Sequence, residues 1–406
     1  LYRKEVFPVE KKHLFLLFSI IFLMMLGFGI IIPILPFFVT KIGATTTQLG
    51  ILSASYNIMQ FIFAPIWGRL SDRHGRKPFI LLALFGFSAS FILFGFSTNY
   101  YEMLFYRVLA GITSAAGIPT ITAMVADIFP PKERAKGMGI VGAGVGLSFV
   151  FGPALGGILG DISLSLPFFV SGVLAFITLI FTWILLPESL PKEKRGTYLK
   201  KKPTSSLGAI FSNLGLLYQI MLVTSLAFAA METVFALYIS YEFGLTSKDM
   251  GYMFLIMGLI SASLQGGIGK LVKRFGESKL LATGIFFYVL GFFCVLLAST
   301  FLEFALTLCL FGLGQGMMRT TNTAMISQRT PDGQGATSGN MSAMDTMGRI
   351  AGPILAGWLF TFSHSMPFII SGILCFGLLA VYLGRVHHLP EPEPESEADA
   401  YSPASQ

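Results

Sequence analysis

Gly152-Pro153-Ala154-Leu155-Gly156-Gly157 returns 200 residues later as Gly352-Pro353-Ile354-Leu355-Ala356-Gly357. The same spacing relates Pro167-Phe168-Phe169-Val170-Ser171-Gly172 to Pro367-Phe368-Ile369-Ile370-Ser371-Gly372. A spacing of 201 relates Gly68-Arg69-Leu70-Ser71-Asp72-Arg73-His74-Gly75 to Gly269-Lys270-Leu271-Val272-Lys273-Arg274-Phe275-Gly276. Three matches at offsets of 200 or 201 mark an internal duplication. Both copies run in the same direction, so the repeats are parallel, the arrangement that builds a central cavity for alternating access.

The solvent of these repeats follows from composition. Of 406 residues, 54% are hydrophobic, 12% are charged and 40 are Phe. An ordinary soluble domain is about 25% charged, so a cytosolic enzyme is excluded and a polytopic membrane protein remains. A helix needs about 20 apolar residues to cross the hydrocarbon. Twelve such segments are present, at 13–39, 46–69, 78–97, 101–127, 136–159, 166–187, 214–240, 248–271, 279–299, 302–327, 337–360 and 366–386. The first reads as a span rather than a cleavable signal, being too long for an h-region and carrying Pro33 and Pro36.

Lys and Arg then test the topology. Of the 28, 23 lie at the termini or in the even-numbered loops, and only Lys41 and Lys248 lie in the odd-numbered ones. An odd number of spans cannot produce that split. It predicts twelve spans with both termini in the cytoplasm of a bacterial cell membrane. The net charge of +7 is spread between apolar segments and is no nucleic-acid signature. Cys294, Cys309 and Cys375 and the five His have no metal-ligand spacing, so neither metal nor cofactor is expected.

The longest polar stretch between spans divides the chain. The reading is an all-α membrane protein with an N-terminal six-helix bundle at 1–187, a cytoplasmic linker at 188–213, a C-terminal six-helix bundle at 214–386 and a disordered acidic tail at 387–406. A monomer suffices for this architecture.

Four of these stretches carry a family resemblance. Gly68 through Lys77 resembles the loop signature between helices 2 and 3 of the major facilitator superfamily, and Arg107 with Gly111 resembles its helix 4 signature. Gly142, Gly146, Gly152-Pro153 and Gly156-Gly157 resemble the helix 5 signature of its antiporters. Gly27-Phe28-Gly29 through Pro36 resembles helix 1 of the twelve-helix drug–proton antiporters. Ala230-Met231-Glu232-Thr233 with Ser247-Lys248-Asp249 is most similar to the Gram-positive bacterial multidrug pumps. Tetracycline-specific relatives carry carboxylates in helices 1, 3 and 9, where this chain has Met24, Ser90 and the apolar surroundings of Val289.

Arg107, Glu232, Arg319, Asp345 and Arg349 lie inside apolar spans. Each costs roughly 2.5–3.5 kcal/mol or more at the bilayer centre, so each is expected to face the bundle interior. No cation stands within a helical turn of Glu232. Burial penalises its charged form, which makes it the candidate for proton exchange and a seat for lipophilic cations. The competing reading is an ion pair with an arginine from another helix. Asp345 and Arg349, four apart, read either as a self-neutralising pair or as a second titratable site. Arg107 resembles the helix 4 arginine associated with proton coupling. Candidate cavity residues are Asn57, Gln60, Tyr56, Met59, Phe235, Tyr238, Gln265 and Arg319, whose aromatic and Met surfaces suit flat cations.

The loop Gly68–Lys77 reads as a latch. Gly68 permits close helix contact and Gly75 a tight turn. Asp72 is expected at the N-terminus of helix 11, and Arg73 or Arg76 against Asp127. Gly152-Pro153 is expected to bend helix 5. The reading is export of hydrophobic, often cationic small molecules in exchange for protons, with membrane lipid as surroundings. The alternatives are a lipid or glycolipid flippase and a single-substrate, tetracycline-like exporter. Uptake by symport is disfavoured by analogy with the helix 5 signature. No nucleophile–base pair and no phosphate-binding glycine-lysine loop is present, so an ion gradient is the expected energy source.

Overall fold

Apolar runs set where helices form, and Pro, Gly and capping side chains set where they stop. The computed structural model describes residues 11–129, 134–191, 195, 212, 214–329 and 334–386. The tail 387–406 and nearly all of the linker 188–213 lie outside the described residues. Among those described, fourteen α-helices occur and no strand. They are α1 (Lys11–Ile31), α2 (Leu35–Lys41), α3 (Thr46–His74), α4 (Lys77–Gly95), α5 (Tyr100–Ser114), α6 (Gly117–Ile128) and α7 (Arg134–Ile162). They continue as α8 (Leu166–Leu185), α9 (Gly215–Phe243), α10 (Ser247–Phe275), α11 (Glu277–Val295), α12 (Phe301–Arg329), α13 (Gln334–Phe360) and α14 (Met366–Arg385).

Ten helices are long and apolar enough to cross a membrane, counting α5 with α6 as one, and α1 with α2 is an eleventh span bent by 45°. The twelfth is α13. Its 27 residues are long enough, but Asp345 and Arg349 keep it from qualifying by hydropathy alone. The chain is a multi-pass membrane protein.

Two predicted spans are broken. Between α1 and α2, Pro33 supplies no N–H, and the turn closes through Ile34 N to Ile31 O at 3.0 Å. Between α5 and α6, Pro119 withholds the donor for the carbonyl four residues earlier, and Ala116 N turns to Thr113 O at 3.2 Å. Pro153, by contrast, sits inside an uninterrupted α7. Several helices outrun their apolar runs: α3 reaches His74 and α10 reaches Phe275.

Duplication extends to the caps. Thr45 and Gln48 close a capping box at α3, and Thr246 and Asp249 close one at the corresponding start of α10. Asn99 receives the Glu102 N–H at 3.0 Å, and Thr300 receives the Glu303 N–H at 3.4 Å. Packing repeats as well. In the first half α1 lies on α7, α4 on α8 and α3 on α5; in the second α9 lies on α13, α11 on α14 and α10 on α12. Across the halves α7 meets α10, and α3 meets α13. The result is two six-helix bundles related by the repeat.

The bundles touch at one end and part at the other. At the end holding Thr46, Ser247 and Gly357, a Cβ on Gly157 would lie 2.9 Å from Gly251 Cα, and one on Gly50 would strike Pro353 O. Thr46 Oγ1 donates to Gly357 O at 3.1 Å across the same seam. Toward the opposite end, where Arg73, Lys273 and Arg385 lie, the stripes continue through Gly146, Gly142 and Gly139 of α7 and Gly266 and Gly269 of α10. There a Cβ would meet nothing within 4 Å. Gly142 and Gly146 are therefore not closely packed in this state, and the close helix contact expected at Gly68 is absent as well. The close approaches of α7 are instead made by Gly152 and Gly156 on α1 and by Gly157 on α10.

Candidate functional site

Gly348 and Gly352 let α13 lie backbone to backbone on α9. A Cβ on Gly348 would lie 2.6 Å from Leu222 O, and one on Gly352 would strike Leu226 O. That contact brings Asp345 to Ser225, whose hydroxyl donates to Asp345 Oδ1 at 2.6 Å. One turn on, Arg349 Nε donates to Asp345 Oδ2 at 3.1 Å. About two turns along α9 from Ser225 stands Glu232.

Glu232 faces a small cavity of about 60 Å³ where the two bundles meet. Phe28 and Pro36 wall it from the first span, Asn57 from α3 and Arg107 from α5, with Thr233 of α9 and Arg349 of α13 completing it. Asn57 Nδ2 donates to the backbone O of Arg349 at 3.2 Å, a hydrogen bond across the seam. The charges of Arg349 and Arg107 both act on Glu232. Among the described residues the carboxylate makes no ion pair within 4.0 Å and no hydrogen bond, so the static ion-pair reading is not what this state holds. At about 30 Å³ per molecule, the space suits one or two waters, not a drug.

Arg107 is buried, its guanidinium carbon 4.7 Å from the Tyr56 ring centroid and 6.0 Å from that of Phe91. Its Nε and Nη1 have no hydrogen-bond partner among the described residues. Tyr56 is fixed behind it: Ser114 Oγ donates to the Tyr56 hydroxyl at 2.9 Å and Gln60 Nε2 at 3.0 Å. Met59 lies beside Gly111 at the crossing of α3 and α5. Tyr56, held by Gln60, therefore backs the arginine, and neither of these nor Met59 lines the cavity that Glu232 faces.

A larger cavity of about 270 Å³ lies entirely in the second bundle. Asp345, Arg319, Arg349 and Gln315 give it charge and polarity, and Phe228, Tyr288, Met318 and Met341 give it apolar surface. Arg319 is exposed to this space. The sequence reading missed Ser225, Phe228, Asn322 and Met341 here, because helical phase alone does not separate a cavity wall from a packed face. Gly348 and Gly352, four apart, were the one available signal that α13 lies close on a neighbour.

Three expectations need correction. Phe235 and Tyr238 are not cavity residues: both are buried in an aromatic cluster in which Phe235 lies 5.9 Å from Phe304 and Tyr238 lies 4.9 Å from Phe368. At about 100° per residue, Phe235 lies about 60° and Tyr238 about 120° around α9 from Glu232, which on a helix buried on several sides places both rings in the packed cluster. Gln265 is exposed and bonds Ser261 of its own helix at 3.1 Å. Among the described residues Asp72 makes no ion pair or hydrogen bond with α13, the eleventh span, at whose start it is expected. It pairs with Arg76 at 2.6 Å within its own bundle.

Around Gly75, whose φ is 106°, the loop is tightly built. Arg76 Nε meets Asp127 Oδ2 at 3.0 Å and its Nη1 meets Ser71 Oγ at 2.8 Å. Glu188, another residue the sequence reading passed over, accepts the Arg76 and Lys77 N–H groups at 2.8 and 3.1 Å, capping α4. Arg73 is exposed. None of these contacts crosses to the second bundle in this state.

Known proteins share this arrangement over nearly its whole length. Multidrug resistance protein 2 of Bacillus subtilis (strain 168) is 33% identical over 387 residues, covering 92% of this chain and 96% of the relative. Quinolone resistance protein NorA of Staphylococcus aureus (strain MRSA252) is 28% identical over 379 residues, covering 93% and 97%. Among solved structures, a bacterial homolog of the human lysosomal transporter Spinster, in an inward-facing and occupied conformation, superposes with a TM-score of 0.74 at 14% identity. That match covers 92% of this chain and 96% of the other. The family model of the Major Facilitator Superfamily matches residues 17–276 and again 220–405. With a duplicated set of twelve spans, and a match that covers both copies, the chain belongs to the Major Facilitator Superfamily.

Proposed function

We propose that the chain exports hydrophobic, often cationic drugs in exchange for protons by alternating access, from a bacterial cell membrane with both termini in the cytoplasm. The observation that carries the coupling is the position of Glu232. A carboxylate without an ion pair faces a water-sized cavity at the seam between two bundles, with an arginine from each bundle beside it. Multidrug resistance protein 2 and NorA, by their names, support drugs as the cargo.

The moving bodies are the bundles at 1–187 and 214–386, joined by the linker at 188–213. With the basic loops in the cytoplasm, the parted end is the cytoplasmic one, so the state described is inward-facing. Closing that end would bring together the bare stripes of α7 and α10. The loop from Gly68 to Arg76, with Asp72, Arg73, Gly75 and Asp127, would latch it. Gly152 and Pro153 would seat α7 on α1 through the cycle, and a monomer is the working unit.

Ethidium efflux from energised cells tests this reading, with the parent and Glu232→Gln at equal expression, with and without a protonophore. Efflux is expected to collapse with the protonophore and with the substitution. Protonophore-sensitive efflux that survives Glu232→Gln moves the coupling site away from Glu232. A parent that exports no ethidium, but scrambles a labelled lipid in vesicles, would make the flippase the better reading.

A further inference from the structure

Arg349 belongs to both cavities. It lines the larger one with Asp345 and Arg319 and the smaller one with Glu232 and Arg107, and no other described residue lines both. In this state its guanidinium is committed to Asp345 at 3.1 Å. Its backbone is held separately, by Asn57 across the seam at 3.2 Å. A turn of the side chain from Asp345 toward Glu232 would therefore leave the bond between Asn57 and the Arg349 backbone in place. On the two sides of Arg349 stand two acids in unequal positions. Asp345 has Arg349 and the Ser225 hydroxyl, with Arg319 of α12 also acting on it. Among the described residues Glu232 makes no ion pair or hydrogen bond, and it shares its cavity with Arg107 of α5, Asn57 of α3 and Arg349 of α13.

Size separates the roles of the two spaces. A drug-sized ligand needs a pocket of about 300–1,000 Å³. The larger cavity, about 270 Å³ and walled by Phe228, Tyr288 and Met341, is near that range; the smaller, about 60 Å³, is far below it. The cation and the proton thus occupy different sites, and something must connect them.

We propose that Asp345 in the larger cavity is the seat of the transported cation, and that Arg349, displaced by that cation, turns to Glu232 and discharges its proton. This rests on the reading that Glu232 is the proton-exchanging acid. Before binding, Glu232 is a neutral carboxylic acid and Asp345 pairs with Arg349. A monovalent cation replaces the guanidinium at Asp345. The O–H bond of Glu232 breaks, the proton leaves to cavity water, and the Arg349 guanidinium pairs with the carboxylate so formed. One positive charge enters and one leaves, so the charge of the site is unchanged. Protonation of Glu232 reverses each step, returns Arg349 to Asp345 and expels the cation. The two affinities are linked reciprocally, which is what exchange requires.

The test uses the purified full chain in lipid nanodiscs with tetraphenylphosphonium as probe. Binding is followed by equilibrium dialysis, and proton release by an indicator dye in weakly buffered medium near neutral pH. The parent is expected to release about one proton per cation bound. Glu232→Gln should bind and release none. Arg349→Gln should bind at least about tenfold tighter, because the competing guanidinium is gone, and release none. Arg349→Lys should restore release, which separates lost coupling from lost folding. Asp345→Asn should weaken binding at least about tenfold.

Release from Arg349→Gln at the parent's level, with none from Glu232→Gln, overturns the arginine's role alone. Release from Glu232→Gln at the parent's level overturns the reading of Glu232 itself. Unchanged affinity in Asp345→Asn overturns the cation seat. A parent that binds without releasing protons overturns the whole exchange.

Discussion

Glu277 stands in the second bundle where Arg76 stands in the first, and each closes the same ion pair with the charges exchanged. Arg76 meets Asp127 at 3.0 Å, and Glu277 meets Arg329 at 3.0 Å. Both follow a glycine of positive φ, Gly75 at 106° and Gly276 at 81°. The inversion extends to Lys273, which occupies the place of Asp72. Each cluster ties the start of one helix to the end of another on the side where the bundles part, α4 to α6 and α11 to α12. The duplication kept the geometry and reversed the polarity as a set.

Removing one partner should show that the set acts together. Arg76→Gln leaves Asp72 and Asp127 without their shared cation, and a loss of about 3 kcal/mol is expected for breaking such a pair. Reversible unfolding in mixed micelles measures it. Exchanging Arg76→Glu with Asp127→Arg should recover only part, because Asp72 then faces a like charge. Adding Asp72→Lys should recover most of the rest.

The seam between α7 and α10 makes two opposite predictions. Gly157→Leu places a side chain where Gly251 Cα would stand 2.9 Å from the first added carbon. It should hold the touching end apart and reduce transport at least about tenfold. Gly146→Leu meets nothing in this state. It should leave this conformation intact while preventing the parted end from closing, again with transport lost. Spin-label distances across each end distinguish them: Gly157→Leu lengthens the first distance, and Gly146→Leu leaves the parent's inward-facing distribution fixed even with substrate.

Asn57→Ala removes the hydrogen bond to Arg349 O that ties α3 to α13. Such a bond contributes about 1 kcal/mol net, so the population of the state described here should fall by about fivefold relative to the alternative. Cysteine accessibility at the two ends, read as a ratio, measures the shift. No change in that ratio would mean the bond is replaced by water at no cost.

Phe235 separates a packing residue from a cavity residue. It is fully buried against Phe254, Phe304 and Phe368. Phe235→Ala should cost about 3–5 kcal/mol of stability and lower the export of all substrates in proportion to folded protein. A change of substrate preference at constant stability would return it to the cavity.

Much of this was readable in the residues, and the failures have one cause. Glu232, Arg107, Asp345 and Arg349 stood out because a charge in hydrocarbon is costly wherever it lies. Asn57 stood out for the same reason. Phe235 and Tyr238 were misplaced because an aromatic residue is cheap on any face of a buried helix, so its type carries no direction. Asp72 was placed against a distant helix because the sequence does not say that Arg76, four residues on, turns back to it.

The sequence by itself determined the membrane, the number of spans, the duplication and the short list of charges the bilayer rejects. Those follow from transfer free energies and from periods along one chain, which are local quantities. Only the tertiary structure decided that Arg349 is common to two cavities, that these differ several-fold in size, and which end of the bundle is parted. These depend on distances between helices far apart in the chain, and on one of two packings available to the same set of apolar faces. A sequence specifies both packings at once; a structure is one of them.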